Sequence, residues 1–157
     1  MAVELDDLDH QILSLLLRDG RIPTSQIAEA VGLSRPAVAE RIEKLERNGV
    51  VRGTTVVVDP SALGAHVTAF VSARGPGLVS DKARKAFDSL LQQEEVLEAH
   101  TVAGDDCYLL KVRTDSIASL NALVSSLTAA PLSLSTRTTI VMQTHCEKVG
   151  GITLGER

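Results

Sequence analysis

The sequence predicts an α+β chain in two parts: a helix-turn-helix part with a wing at the N-terminus, then a ferredoxin-like part. Three observations carry this. Apolar residues recur at helical spacing up to Arg47; the pattern changes to β-branched runs from Val50; and beyond Gly64 strand-like and helix-like stretches follow the order β-α-β-β-α-β, the split βαβ plan. The predicted boundaries are residues 1–52 for the helical domain, 53–64 for a strand and hinge, 65–146 for the mixed domain and 147–157 for a tail.

Leu8, Ile12, Leu15 and Leu16 form one helical stripe, which predicts a first helix from about Leu8 to Asp19. Asp6 is the expected N-cap, Asp9 lies in the first turn and Gly20 is placed to end the helix. Arg21-Ile22-Pro23 breaks the chain. Thr24 is expected to cap a second helix, with Ile27, Ala28 and Val31 turned toward the first, and Gly32 suits the left-handed conformation that opens a turn. The third helix is predicted from Ser34 to about Arg47. Pro36 is tolerated there because a first turn has no internal N–H bond to lose, and Asn48-Gly49 stops the helix. Val38, Ile42 and Leu45 share one face of this helix, leaving Pro36, Glu40, Glu43, Lys44 and Arg47 on the other.

Thr54-Thr55-Val56-Val57-Val58 reads as a strand serving as wing and hinge together, and Asp59-Pro60-Ser61 as a turn. Beyond it the expected elements are a strand from His66 to Ala73, a helix from Ser80 to Gln92, strands from Val96 to Ala103 and Cys107 to Arg113, a helix from Ser116 to Leu127 and a strand from Leu132 to Gln143. Gly104-Asp105-Asp106 is a tight hairpin signal. Ala83, Ala86, Phe87, Leu90 and Leu91 form the inner stripe of one helix; Ile117, Leu120, Leu123, Val124 and Leu127 form that of the other. Helices on one face of such a sheet leave the other face open. Val67, Ala69 and Val71 alternate with Phe70, and Tyr108, Leu110 and Val112 with Cys107, Leu109 and Lys111, so apolar groups are expected on both faces and a second copy of the chain over the open one.

Composition narrows the function. At 157 residues, 44% hydrophobic and 23% charged, the chain can bury a core, and the acidic start MAVELDD with no apolar run behind it predicts a cytoplasmic protein. Cys107 and Cys146 are expected as reduced thiols. A net charge of −4 argues mildly against nucleic acid, but Arg35, Arg41, Lys44, Arg47 and Arg52 outnumber Glu40, Glu43 and Glu46 locally, while Glu4, Asp6, Asp7 and Asp9 are assigned to the far end of the domain. Aromatic residues at 2% disfavour a sheet that stacks single-stranded RNA bases. His145-Cys146, Cys107, His66 and His100 lack zinc-ligand spacing, so no metal is expected. Neither a phosphate-binding glycine loop nor a nucleophile elbow is present, so the chain is not expected to be an enzyme.

Taken together the chain resembles the Lrp/AsnC, or feast/famine, family of transcription regulators. In the first half the resemblance rests on Leu8-Asp9, Ile12-Leu13, Asp19-Gly20-Arg21-Ile22, Ile27-Ala28, Val31-Gly32-Leu33-Ser34, Arg41, Leu45-Glu46, Gly49 to Gly53 and Asp59-Pro60 with Leu63-Gly64. In the second it rests on Val102 to Val112 and Thr136-Arg137-Thr138. The resemblance implies a winged helix-turn-helix, a sheet that dimerises and often builds octamers, and a small effector, commonly an amino acid. It places effector contacts at Gly104, Asp105, Asp106, Cys107 and Tyr108 and near the end of the last strand, at Thr136, Thr138 and Gln143. Many members carry Gly-Asp-x-Asp; this chain has Asp106 followed by Cys107.

A recognition helix fits the major groove, so Ser34, Arg35, Pro36, Ala37 and Glu40 are assigned to base edges, and Arg41, Lys44 and Arg47 with Ser25 and Gln26 mainly to the DNA backbone. The bland alternative is a packed three-helix unit with a solvated face. Likewise Gly104-Asp105-Asp106 also fits an ordinary hairpin turn. Against a sequence-specific regulator that senses a small effector stands a metabolite-binding regulatory subunit of an enzyme. The tail from Glu147 to Arg157 is read as a glycine-rich extension.

Overall fold

The computed structural model describes residues 3–75, 78 and 80–148; apart from Glu147 and Lys148, the predicted tail lies outside the described residues. The chain forms two compact units that divide between Val57 and Val58.

In the first unit each helix begins where the local chemistry allows. Helix α1 (Asp7–Arg18) is opened by a capping box in which the Asp9 N–H donates to Asp6 Oδ1 at 2.8 Å and the Asp6 N–H to Asp9 Oδ2 at 3.3 Å. Its end differs from expectation: Asp19 caps it in extended backbone, and Gly20 serves another purpose. A Cβ at Gly20 would lie 2.8 Å from Thr54 Cγ2, so the missing side chain lets the linker pass close. Helix α2 (Thr24–Val31) is also capped one residue earlier than predicted. Pro23 takes the N-cap, its carbonyl accepting from Gln26 at 2.9 Å, and Thr24 is already helical. Gly32, at φ 68°, closes α2 as expected.

Helix α3 (Arg35–Arg47) starts at Ser34, whose Oγ accepts from the Ala37 N–H at 3.4 Å. It ends in a left-handed turn at Gly49, φ 69°, where the Val50 N–H reaches back to the Leu45 carbonyl at 2.9 Å. Ile12, Ile27, Ala28, Val38 and Leu45 are buried between the three helices. Truncating a fully buried residue such as Leu45 to Ala costs about 2–5 kcal/mol, a large share of what so small a core supplies.

The predicted strand Thr54–Val58 is absent: the segment pairs with no strand, and Val56, Val57 and Val58 are 70%, 76% and 49% exposed. β-branched side chains favour extended backbone, but a strand also needs a partner edge, and no other described segment of this chain pairs with it. A 3₁₀ turn (Pro60–Leu63) follows.

The second unit contains β1 (Val67–Arg74), α4 (Asp81–Leu91), β2 (Val96–Thr101), β3 (Tyr108–Thr114), α5 (Ile117–Thr128) and β4 (Ser135–Ile140). The strands lie antiparallel in the order β2-β3-β1-β4, as the βαββαβ reading requires. Ala69, Val71, Ala73, Leu110 and Val112 of the sheet pack against Ala83, Phe87, Leu90, Leu120, Leu123 and Leu127 of the helices. Ile117 departs from its expected place; it stands in the first turn of α5 and is 55% exposed. Strand β4 is shorter than predicted because Leu132 and Leu134 belong to the core, the Leu134 N–H turning back to the Leu127 carbonyl at 3.0 Å.

The sheet face away from the helices carries Phe70, Leu109, Lys111, Arg113 and Arg137 by the same alternation. It is more polar than the sequence suggested. Phe70, 40% exposed, lies opposite Lys111, and Arg113 Nε donates to Thr68 Oγ1 at 3.1 Å. The chain beyond β4 returns to β3, where Glu147 pairs with Lys111 and, at 3.2 Å, with Arg113.

Candidate nucleic-acid interface and effector end of the sheet

The first turn of α3 is presented, not packed. Ser34, Arg35, Pro36, Glu40, Lys44 and Arg47 are exposed and Ala37 is half-buried, while Val38 and Leu45 on the opposite side enter the core. From α2, Gln26 is exposed and Ser25 half-buried. Arg47 pairs with Glu43 at 3.6 Å, with both side chains about two-thirds exposed, a pair that solvent screens heavily.

Arg41 behaves differently from its neighbours. Its Nη1 donates to Asp6 Oδ2 at 2.7 Å and to Asp9 Oδ1 at 2.6 Å, and its side chain is only 27% exposed. Two of the four acids expected at the far end of the domain, Asp6 and Asp9, therefore meet α3. The Asp9 backbone N–H, then the Arg41 guanidinium, hold the Asp6 carboxyl below the usual carboxylate range. Hydrogen bonds to Asp6 and Asp9 push the Arg41 pKa up. A shallow recess of about 280 Å³ beside this cluster is lined by Asp6, Ala37, Glu40, Arg41 and Lys44. Asp6 and Asp9 were missed as site residues although a signal existed: Asp9 shares a face with Ile12, and Arg41 lies three residues after Val38 and four before Leu45.

In the second unit one end of the sheet gathers most of the residues assigned to an effector. Tyr108 and Thr136 flank Ala73 from either side, and Thr138 pairs with Val71. The Cys107 N–H donates to the Ala73 carbonyl at 3.0 Å, and Asp106 joins the hairpin to β4 through Arg137 at 3.1 Å. Gly104, at φ 138°, and Asp105 are exposed in the hairpin. Gln143 does not join them. Strand β4 runs away from the hairpin to Ile140 beside Ala69, and at about 3.3 Å per residue that distance alone exceeds 10 Å. Tyr108 is fixed by its ring, 4.9 Å from that of Phe87. Arg137 was the residue the sequence reading left out. Among the described residues, no group of three or more His, Cys, Asp or Glu side chains could hold a metal ion.

A presented helix-turn-helix joined to a βαββαβ domain with a polar cluster at its hairpin defines a DNA-binding regulator with a ligand-binding domain. The family model described as "AsnC-type helix-turn-helix domain" matches residues 5–46, and "Lrp/AsnC ligand binding domain" matches 68–150. The chain belongs to the Lrp/AsnC family of transcriptional regulators. It is 33% identical over 147 residues to HTH-type transcriptional regulator FL11 of Pyrococcus abyssi, covering 94% of this chain and 95% of that one. The crystal structure of the leucine response regulatory protein LrpA of Mycobacterium tuberculosis superposes with a TM-score of 0.79 at 32% identity, over 92% of this chain and 97% of the other. A transcriptional regulator of Neisseria meningitidis, solved as an L-Met complex, shares the fold at 22% identity and a TM-score of 0.81, over 93% and 95% of the two chains.

Proposed function

We propose that this regulator binds duplex DNA as a homodimer, or a larger symmetric assembly, and that a small effector, an amino acid, biases its arrangement. The observation that carries the DNA reading is the exposed first turn of α3 on a packed three-helix support. Ser34, Arg35, Pro36, Ala37 and Glu40 meet base edges; Lys44, Arg47, Ser25 and Gln26 meet the backbone. Two such helices related by a two-fold axis read half-sites about 10 bp apart.

The open sheet face takes the second copy, with Phe70 and Leu109 at its middle. At the hairpin end of the sheet, Asp105 and Asp106 suit an ammonium group, and Arg137 suits a carboxylate once Asp106 releases it. An effector acts only through a difference in affinity between two arrangements of the assembly. No catalytic step is assigned to any residue, and the chain is read as a cytoplasmic regulator, not an enzyme; no helix among the described residues is long and apolar enough to cross a membrane.

The test is selection of a duplex from a random pool by the whole protein, followed by binding measured across salt concentrations. The expected result is an enriched, two-fold symmetric sequence whose affinity falls steeply with salt. No enrichment at any salt favours a regulatory subunit of an enzyme instead.

A further inference from the structure

We infer that Arg41 is a positioning residue of the recognition helix and not a phosphate contact: clamped by Asp6 and Asp9, it fixes where α3 sits on α1. The inference rests on the DNA-binding reading above. Asp9 is 3% exposed, and its carboxylate would be left buried without a countercharge if Arg41 swung out to a phosphate. Both acids are themselves held by the capping box that starts α1, so the clamp has a rigid base. Nη1 bridges the two carboxylates at 2.7 and 2.6 Å, which ties α3 to the start of α1 through two hydrogen bonds.

Glu40 and Lys44 stand on the rim of the recess beside this clamp, so a slip of the clamp displaces one assigned base reader and one assigned phosphate contact together. The raised Arg41 and lowered Asp6 pKa values agree with an ionised cluster.

The two roles predict opposite results for removing the acids. The experiment compares the wild-type chain with Arg41→Gln, Arg41→Lys, the double variant Asp6→Asn/Asp9→Asn, and Lys44→Ala. Asn equals Asp as an N-cap, so the double variant keeps an acceptor at the start of α1 and loses the carboxylate oxygens that hold Arg41. Each is titrated against the duplex that the wild-type protein enriches and against a shuffled duplex, over a range of salt, at a temperature where circular dichroism shows it folded.

With Arg41 as a positioning residue, Arg41→Gln and the double variant both lower the ratio of enriched to shuffled affinity by about tenfold, the worth of one good base contact. The salt slope stays at the wild-type value, Arg41→Lys recovers part of the ratio, and Lys44→Ala reduces the slope by about one. The inference is overturned if the double variant tightens binding to both duplexes while Arg41→Gln reduces the slope, which makes Arg41 a phosphate contact. It is overturned equally if folded variants keep the wild-type ratio, which leaves the clamp a matter of stability alone. A wild-type chain that enriches no duplex removes the DNA reading itself, an outcome distinct from both.

Discussion

Asp9 lies three residues before Ile12, so the helical period sets both on the face of α1 that turns inward. A buried carboxylate requires a partner, and Arg41, on the inner stripe of α3, supplies it at 2.6 Å. The pairing was present in the spacing but not in the charge pattern, which placed Asp6 and Asp9 away from the Arg41 they meet. The clamp also carries a pH dependence. The folded-state pKa of Asp6 is lowered from 3.8, first by the Asp9 N–H and then by Arg41, so its stabilising contribution is fully present above that value and is lost as pH falls through the lower folded one. Unfolding by denaturant therefore separates wild type from Asp6→Asn at pH 7, and the gap narrows in acid well below pH 3.8. A gap that is the same at both pH values means that the ionised carboxylate is not what stabilises.

Helices were legible because their evidence is local: a 3.6-residue stripe, a cap and a left-handed glycine fall within one short window, as Ser34, Val38, Leu45 and Gly49 do in α3. Strands were less so. Thr54–Val58 has the composition of a strand and no edge to join, while Leu132 and Leu134 look like strand residues and are folded into the core before β4 begins. Which residues gather at the hairpin depended on register, which sequence does not print: Asp106 meets Arg137 because Ala73, near the end of β1, is in register with both Tyr108 and Thr136. That register has a consequence for ligand sensing. In a thermal-shift screen of the amino acids, a ligand at 100 times its dissociation constant is expected to raise the melting temperature by about 5–10 °C. Asp106→Ala is expected to abolish the shift and Gln143→Ala, beyond the far end of β4, to leave it intact. A shift lost with Gln143→Ala and kept with Asp106→Ala moves the effector away from the hairpin.

For the protein as an assembly, the open sheet face decides between a lone chain and a regulator that spans two half-sites. Its apolar middle, Phe70 and Leu109, is ringed by Lys111, Arg113 and Arg137, which are paired with Glu98, Glu147 and Asp106. Glu147 is held below the usual carboxylate range first by its hydrogen bond to Lys111, so at neutral pH this face carries little net charge to repel a second copy. Phe70→Glu tests the face without undermining the chain that bears it. The new carboxylate lies directly opposite Lys111 across β1 and β3, a cross-strand pair that a single chain tolerates, whereas a sheet-to-sheet interface must bury it. Sedimentation at micromolar concentration is expected to give an oligomer for wild type and a folded monomer for Phe70→Glu. With its two helices uncoupled, the variant binds the enriched duplex at least tenfold more weakly, by the multivalency that tethering confers. A variant that stays oligomeric and binds DNA as wild type places the interface on another surface.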